Sequence, residues 1–415
     1  MQGAFHYSDQ ELLCEEVAIL DIAAGAGTPC YVYSSRAILE NYRAYHETLG
    51  TIPHEICYAV KANSSLAILA LLAKAGSGFD IVSGGELFRV LQAGGDPSKI
   101  VFSGVGKTAV EIESALGQGI HSFNCESEAE LALLDALAAR CATKARVAVR
   151  VNPDVGADTH PYIATGLRDH KFGIDITEVE GVYERARSFR HIEIAGVSCH
   201  IGSQILDSGP LLEALDRMLD LVAVLRSRCI PIQHLDLGGG LGVAYKPTDT
   251  APAIRDFIRQ VLDRFAAKDL VLVLEPGRSI VGEAGVLLTR VLYRKRTLEK
   301  EFVVVDAAMN DLIRPTLYQS HHEIVAVRKT PRGTVVADVV GPVCETGDFL
   351  ARGREIDNVL PGDLLAVCTA GAYGFVAASN YNSRPRPPEV LVEGGHWRVV
   401  RRRESLEDLV RGETL

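Results

Sequence analysis

Ile56-Cys57-Tyr58-Ala59-Val60-Lys61-Ala62-Asn63 is an apolar run that ends on a lysine. Residues 56–60 read as a buried strand, and 64–75 as a helix opened by a serine cap. Moving outward, the same alternation recurs. Strands are expected at 79–82, 100–103, 120–123, 146–151, 194–200, 234–237 and 270–274, and helices at 85–93, 109–118, 126–139, 210–228 and 253–267. A series of about eight strand-then-helix units favours an α/β fold with a closed parallel barrel, the open doubly wound sheet being the alternative. After Glu275 the texture changes. Short strand-like runs at 286–293, 302–305, 323–327, 334–340, 364–369, 389–392 and 397–401, divided by Gly/Pro turns, predict a mostly antiparallel β-domain. The expected organisation is a (β/α) barrel over 34–283 and a β-domain over 284–415, joined by residues 1–33.

With 415 residues and 47% apolar content, the chain has ample material for a large core. The net charge of −10 argues against nucleic acid or an anionic membrane as partner. The nine cysteines are odd in number, show no Cys-x-x-Cys and in part sit inside apolar strands, as Cys57 and Cys199 do. That pattern fits reduced thiols, not a disulfide framework or zinc site. Met1-Gln-Gly-Ala-Phe-His6 has no basic-then-apolar signal pattern, and no stretch is long and apolar enough to span a bilayer. The expectation is a soluble cytoplasmic enzyme. Arg401-Arg402-Arg403 reads as a solvated face, and His321-His322-Glu323 as a surface turn without the spaced ligands of a metal site.

Polar residues punctuate the C-terminal ends of the expected strands: Lys61, Asp80, Ser103, Asn124, Arg150, His200, Gly238 and Glu275. Barrel closure would gather them around one mouth, where barrel enzymes keep their chemistry. A strand-end lysine is usually just solvated, but a desolvated one is an amine nucleophile that forms Schiff bases. Gly238-Gly239-Gly240 is either a tight turn or a cradle of backbone N–H groups for phosphate. It lacks the third glycine of a dinucleotide fingerprint, Val243 standing there, and Ser103–Thr108 lacks the first glycine of a P-loop, position 101 being valine. Glu275-Pro-Gly-Arg278 is either a solvated acidic turn or a carboxylate that keeps a pyridine nitrogen protonated beside an anion-binding Gly277–Arg278 pair. His200, alone most simply structural, can stack on a flat ring while Ser203 meets a phosphate. Amine, carboxylate, glycine cradle and imidazole together describe a pyridoxal phosphate site.

Here the chain resembles the barrel-type (fold type III) pyridoxal-phosphate-dependent decarboxylases, specifically the diaminopimelate decarboxylase family. The matching motifs run nearly end to end: Tyr58-Ala-Val-Lys-Ala-Asn63, Phe102-Ser-Gly-Val-Gly-Lys-Thr108, Phe172-Gly173, His200-Ile-Gly-Ser-Gln204, Glu275-Pro-Gly-Arg278, Met309-Asn-Asp-Leu-Ile-Arg-Pro315, Cys344-Glu-Thr-Gly-Asp348, Gly371-Ala-Tyr-Gly374 and Ser379-Asn-Tyr-Asn-Ser-Arg-Pro-Arg-Pro387. The resemblance implies that Lys61 carries the cofactor as a Schiff base, with Asp80 and Arg150 beside it. It implies His200 on the ring, Glu275 at the pyridine nitrogen, and Ser203, Gly239, Gly240, Gly277, Arg278 and Tyr373 around the phosphate. Arg278, Arg314, Tyr318 and Tyr373 would meet the substrate, Glu345 its distal ammonium, and Cys344 would be the proton donor. It further implies decarboxylation of meso-2,6-diaminopimelate to L-lysine, and a homodimer with active sites at the subunit interface. Ala308 and Thr346 depart from a usual glycine and serine. Related decarboxylases of ornithine, arginine or carboxynorspermidine, and a non-catalytic pyridoxal-phosphate-binding barrel, are the competing readings.

Overall fold

Continuous apolar runs are what strands buried on both faces require, and here they close a barrel. The computed structural model describes residues 3–156, 171–265 and 269–415. Eight parallel strands pair in ring order: His54–Ala59, Gly78–Ile81, Ile100–Phe102, Ser122–Cys125, Ala145–Asn152, Ile192–Cys199, His234–Asp236 and Val271–Leu274. Val271–Leu274 returns to pair with His54–Ala59, with Leu274 opposite Ile56. Cys57, Val101 and Val273 make an apolar cluster inside the ring. Lower down, the His234 ring fills the space over Gly196, where an added Cβ would lie 2.1 Å from Nε2.

The helices mostly start where their caps predict. Thr108 and Glu111 form a reciprocal capping box on Ala109–Gln118, and Ser83 and Ser127 cap Gly84–Gln92 and Glu128–Arg140. The first helix differs from expectation: it runs Leu66–Lys74, and Ser65 at its N-cap makes no side-chain cap bond. Asn63 Oδ1 instead takes the Ser65 N–H at 3.1 Å. The helix expected over 253–267 is observed as Ile254–Leu262, and the end of the expected range lies outside the described residues. Lys107, in the stretch superficially like a P-loop, is a buried tie. Its Nζ donates to Glu130 Oε1 at 2.6 Å and to the carbonyls of Gly104 and Asn124.

The chain divides into two compact units, Asn41–Val243 with Thr250–Ser279, and Met1–Glu40 with Ala244–Asp249 and Ile280–Leu415. The second holds a mixed, mostly antiparallel sheet. Gly285–Arg296 is flanked by Glu301–Val305 and by Cys30–Ser34, and the latter pairs in turn with Glu389–Glu393 and, through it, His396–Arg401. Thr334–Val340 and Phe349–Asp357 extend the other end. Phe349–Asp357 was not anticipated, because Arg352-Gly-Arg-Glu355 masks the alternation of an edge strand. An N-terminal hairpin, Phe5–Ser8 with Glu11–Cys14, packs Phe5 and Leu12 into the same core as Val32, Val286, Leu288 and Val390.

Two surface expectations fail in this unit. Arg401 is not part of a solvated face, since it pairs with Glu389, which is fully buried and also accepts the Tyr33 hydroxyl at 2.9 Å. A carboxylate taken from water needs such partners. His322 is not on a surface turn but fully buried.

Candidate active site at the barrel mouth

Lys61 sits in a single tight turn, Val60–Ala62, that follows the first barrel strand. Ala59 lies opposite Asp80 in the strand register, so the two strand ends bring Lys61 Nζ to 2.6 Å from Asp80 Oδ2. Asp80 is fully buried, whereas the lysine side chain keeps 33% of its surface. Asp80 Oδ1 has no hydrogen-bond partner among the described residues.

Across the mouth, Asn124 ends the fourth strand. Its Nδ2 lies 2.9 Å from Asp236 Oδ2, 3.2 Å from Glu275 Oε1 and 3.1 Å from Ser103 Oγ. Asp236 and Glu275 are hydrogen-bonded to each other, and burial pushes both carboxyls up, Asp236 to about 6 and Glu275 well above the usual range. Two adjacent carboxylates deprived of water share a proton. Asp236 was not among the expected site residues. It lay within an apolar strand, although the period-2 spacing from Gly238 pointed to it.

Arg150 lies near the C-terminal end of the fifth strand with Nη1 at 2.8 Å from Glu126 Oε1, its guanidinium 4.7 Å from the Phe172 ring centroid and Nη2 at 3.4 Å from the His200 carbonyl. Glu126, also unanticipated, accepts the Gly173 N–H at 2.7 Å with its other oxygen. This explains the Phe172-Gly173 motif as a clamp on Arg150.

His200 Nδ1 accepts the Gly239 N–H at 3.2 Å, so Nδ1 is bare and the ring proton sits on Nε2. Burial, with Arg150 and Lys61 nearby, holds its pKa far below the usual imidazole value, and the ring is neutral. The glycine turn is obligatory. Gly238 and Gly240 have φ of +69° and +114°, and a Cβ on Gly239 would lie 2.3 Å from the Glu275 carbonyl oxygen. A Cβ on Gly277 would meet Ala62 and Ala59 at 2.9 and 3.0 Å, and Arg278 Nη2 donates to Ser203 Oγ at 3.1 Å. Lys61, Asp80, Arg150, His200, Ser203, Gly239, Gly240, Glu275, Gly277 and Arg278 thus all belong to the barrel unit.

Arg314, Tyr318, Cys344, Glu345 and Tyr373 belong to the second unit. Arg314 opens the short helix Arg314–Tyr318 and is only 5% exposed. Its guanidinium lies over the Tyr245 ring at 4.5 Å and contacts His322 Nε2 at 3.1 Å. His322 Nδ1 lies 2.8 Å from the Cys368 carbonyl. A carbonyl only accepts and a guanidinium only donates, so His322 is the neutral Nδ1–H tautomer. Tyr245 and His322 are holders of Arg314 that sequence reading missed. Cys344 and Glu345 are exposed on a loop whose base is tied by Asp348, which accepts the N–H groups of Met309 and Val343, each at 2.7 Å. Tyr373 has a left-handed backbone, φ +56°.

The barrel residues fit pyridoxal phosphate. They offer one amine on an acidic partner, a buried carboxylate across the mouth, and a turn where any Cβ would fill the space, while Asp80 Oδ1 and Asn124 Oδ1 are buried without partners among the described residues. Among the described residues, no group of three or more His, Cys, Asp or Glu is arranged to hold a metal ion.

Comparison with known proteins agrees. The profile of the family described as "Pyridoxal-dependent decarboxylase, pyridoxal binding domain" matches residues 35–282. A protein of Pseudomonas aeruginosa named diaminopimelate decarboxylase is 56% identical over 411 residues, covering 99% of each chain. One of the same name from Vibrio cholerae is 50% identical, covering 98% of this chain and 97% of its own. The crystal structure of diaminopimelate decarboxylase from Helicobacter pylori complexed with L-lysine superposes with a TM-score of 0.91 at 42% identity, over 95% of this chain and 98% of that one. The M. jannaschii enzyme in co-complex with L-lysine gives 0.94 at 36%, over 99% and 98%. The cofactor is pyridoxal phosphate, and the chain belongs to the diaminopimelate decarboxylase family of pyridoxal-dependent decarboxylases.

Proposed function

We propose that this chain removes carbon dioxide from meso-2,6-diaminopimelate at its D-centre and releases L-lysine, the closing step of lysine biosynthesis in the cytoplasm. The observation that carries this reading is the pairing of Lys61 with Asp80 at the same barrel mouth as the buried Glu275. Relatives at 46–56% identity named diaminopimelate decarboxylase support the choice of substrate.

When bound, pyridoxal phosphate supplies an electron-poor ring that takes up the electron pair left by departing carbon dioxide. Lys61 would provide the amine that holds the cofactor through its aldehyde. Asp80, at 2.6 Å from Nζ, orients that lysine at the barrel mouth. Glu275 would hold a proton at the ring nitrogen, and Asn124 and Asp236 fix its carboxyl group. Neutral His200 would offer a flat face to the ring, with Arg150 beside it. Ser203, Gly239, Gly240, Gly277, Arg278 and Tyr373 would hold the phosphate. Arg278, Arg314, Tyr318 and Tyr373 would meet the substrate and Glu345 its distal ammonium, while the Cys344 thiol would be the proton donor. Cys344 and Glu345 serve the partner's site in a homodimer.

A guanidinium clasps a carboxylate through two parallel bonds and repels a cationic chain end, which disfavours ornithine and arginine. The test is an assay of purified protein on meso-, LL- and DD-diaminopimelate, ornithine and arginine, following carbon dioxide and lysine. Preference for ornithine would sink the reading. Arg314→Ala should lower kcat/KM for meso-diaminopimelate by about 10- to 100-fold, the cost of an unpaired carboxylate, while leaving cofactor absorbance unchanged.

A further inference from the structure

The turn at Tyr381-Asn382-Ser383 is strained and anchored in a way that a surface loop does not need. Asn382 and Ser383, neither of them glycine, both have left-handed backbones, with φ of +55° and +53°. Such conformations persist only where the surroundings over-determine them. The base of the turn is tied down on both sides. Asn380 Nδ2 donates to Glu404 Oε2 at 2.6 Å, and Arg384 donates through Nε to Asn310 Oδ1 at 2.9 Å and through Nη2 to the Asp306 carbonyl at 2.6 Å.

The rigid tip then makes two bonds, both to neighbours in sequence. Asn382 Oδ1 accepts the backbone N–H of Cys344 at 2.9 Å, and the Tyr381 hydroxyl donates to Glu345 Oε2 at 2.7 Å. The other carboxylate oxygen of Glu345 rests over Gly347, where a Cβ would come within 2.9 Å of Oε1. Glu345 is therefore held through Oε2 although it is exposed, and Cys344 is held through its own peptide group. An exposed loop carrying a thiol and a carboxylate has no packing to orient either.

We propose that Tyr381 and Asn382 are positioning residues for the decarboxylation, Tyr381 orienting Glu345 for the substrate's distal ammonium and Asn382 setting the Cys344 thiol for proton donation. This rests on the roles given to Cys344 and Glu345 above. Losing the Tyr381 hydroxyl affects substrate binding, because Glu345 acts on a group remote from the reacting carbon. Losing the Asn382 acceptor affects the chemical step, because Cys344 has a role only in the proton donation that follows loss of carbon dioxide.

The test uses the holoenzyme. Tyr381→Phe should raise KM for meso-diaminopimelate about tenfold with kcat within about twofold. Asn382→Gly keeps the left-handed backbone and removes only the acceptor; it should lower kcat about tenfold with KM within about twofold. Independently of turnover, iodoacetamide labelling of Cys344, mapped by mass spectrometry against the exposed Cys141 and Cys229, should change at least about threefold in Asn382→Gly. Ser383→Gly shares the strained backbone but makes neither bond, and should match wild type in every measurement. The proposal is overturned if Tyr381→Phe leaves KM unchanged, if Asn382→Gly leaves kcat and Cys344 labelling unchanged, or if Ser383→Gly shifts the labelling equally. A wild type inactive on diaminopimelate would refute the proposed function instead, and the labelling would still decide whether Asn382 positions Cys344.

Discussion

Glu275 and Asp236 are the most consequential pair of side chains in the barrel, because both are buried and only one proton separates them from two adjacent negative charges. Both pKa values are raised on folding, so their stabilising contribution is complete below the unfolded carboxylate values and fades as pH climbs through the folded ones. For Asp236 that window runs from 3.8 to about 6, and for Glu275 it extends upward from 4.5. Glu275→Gln keeps an oxygen for Asn124 and gains an N–H for Asp236. The cofactor-free variant should therefore melt a few degrees above wild type at pH 7.5 and level with it near pH 4. The same change should cost about 100-fold or more in kcat, since an amide cannot hold a proton at the ring nitrogen. Equal melting curves across that range would show that the two carboxyls do not share a proton. Lys61→Ala should abolish turnover and the visible absorbance of the lysine-bound cofactor, and a variant that keeps both removes Lys61 from the chemistry.

Among the secondary-structure elements, Cys30–Ser34 is the one that the second unit cannot spare. It lies between Gly285–Arg296 on its antiparallel side and Glu389–Glu393 on its parallel side, and Cys30, Tyr31, Val32, Tyr33 and Ser34 are all fully buried. Removing residues 1–34 would leave two interior strands with unpaired edges, which template aggregation. We expect the truncated protein to be insoluble or to elute as aggregate in size-exclusion chromatography; a soluble, active product would contradict this. Cys30–Ser34 was hard to read from sequence because it is short and its partners lie hundreds of residues away. The barrel strands were legible for the opposite reason: burial on both faces makes them apolar throughout, and Thr108 and Glu111 mark a helix start locally. Phe349–Asp357 escaped because an edge strand tolerates the charged run that hid it.

For the molecule as a whole, the decisive expectation is a site completed by a second copy. Lys61→Ala and Cys344→Ala chains, each inactive alone, should regain about a quarter of wild-type activity when mixed equally, because half the dimers are then hybrids with one intact site of two. No recovery after confirmed subunit exchange would count against a shared site.

Order and identity of the barrel strands, the lysine after the first of them, the triple glycine and Glu275 were all legible in the sequence, because each depends on local periodicity or on a backbone that only certain residues tolerate. Which side chains meet was not legible. Asn124 and Glu275 stand 151 residues apart and touch only because the eighth strand closes on the first. Likewise His322, readable as a surface histidine, becomes the buried neutral partner of Arg314 once the Cys368 carbonyl claims its Nδ1 proton. Periodicity reports how much water each residue loses on folding, whereas hydrogen-bond partners, tautomers and shared protons are set by strand register and ring closure, which exist only in the folded chain.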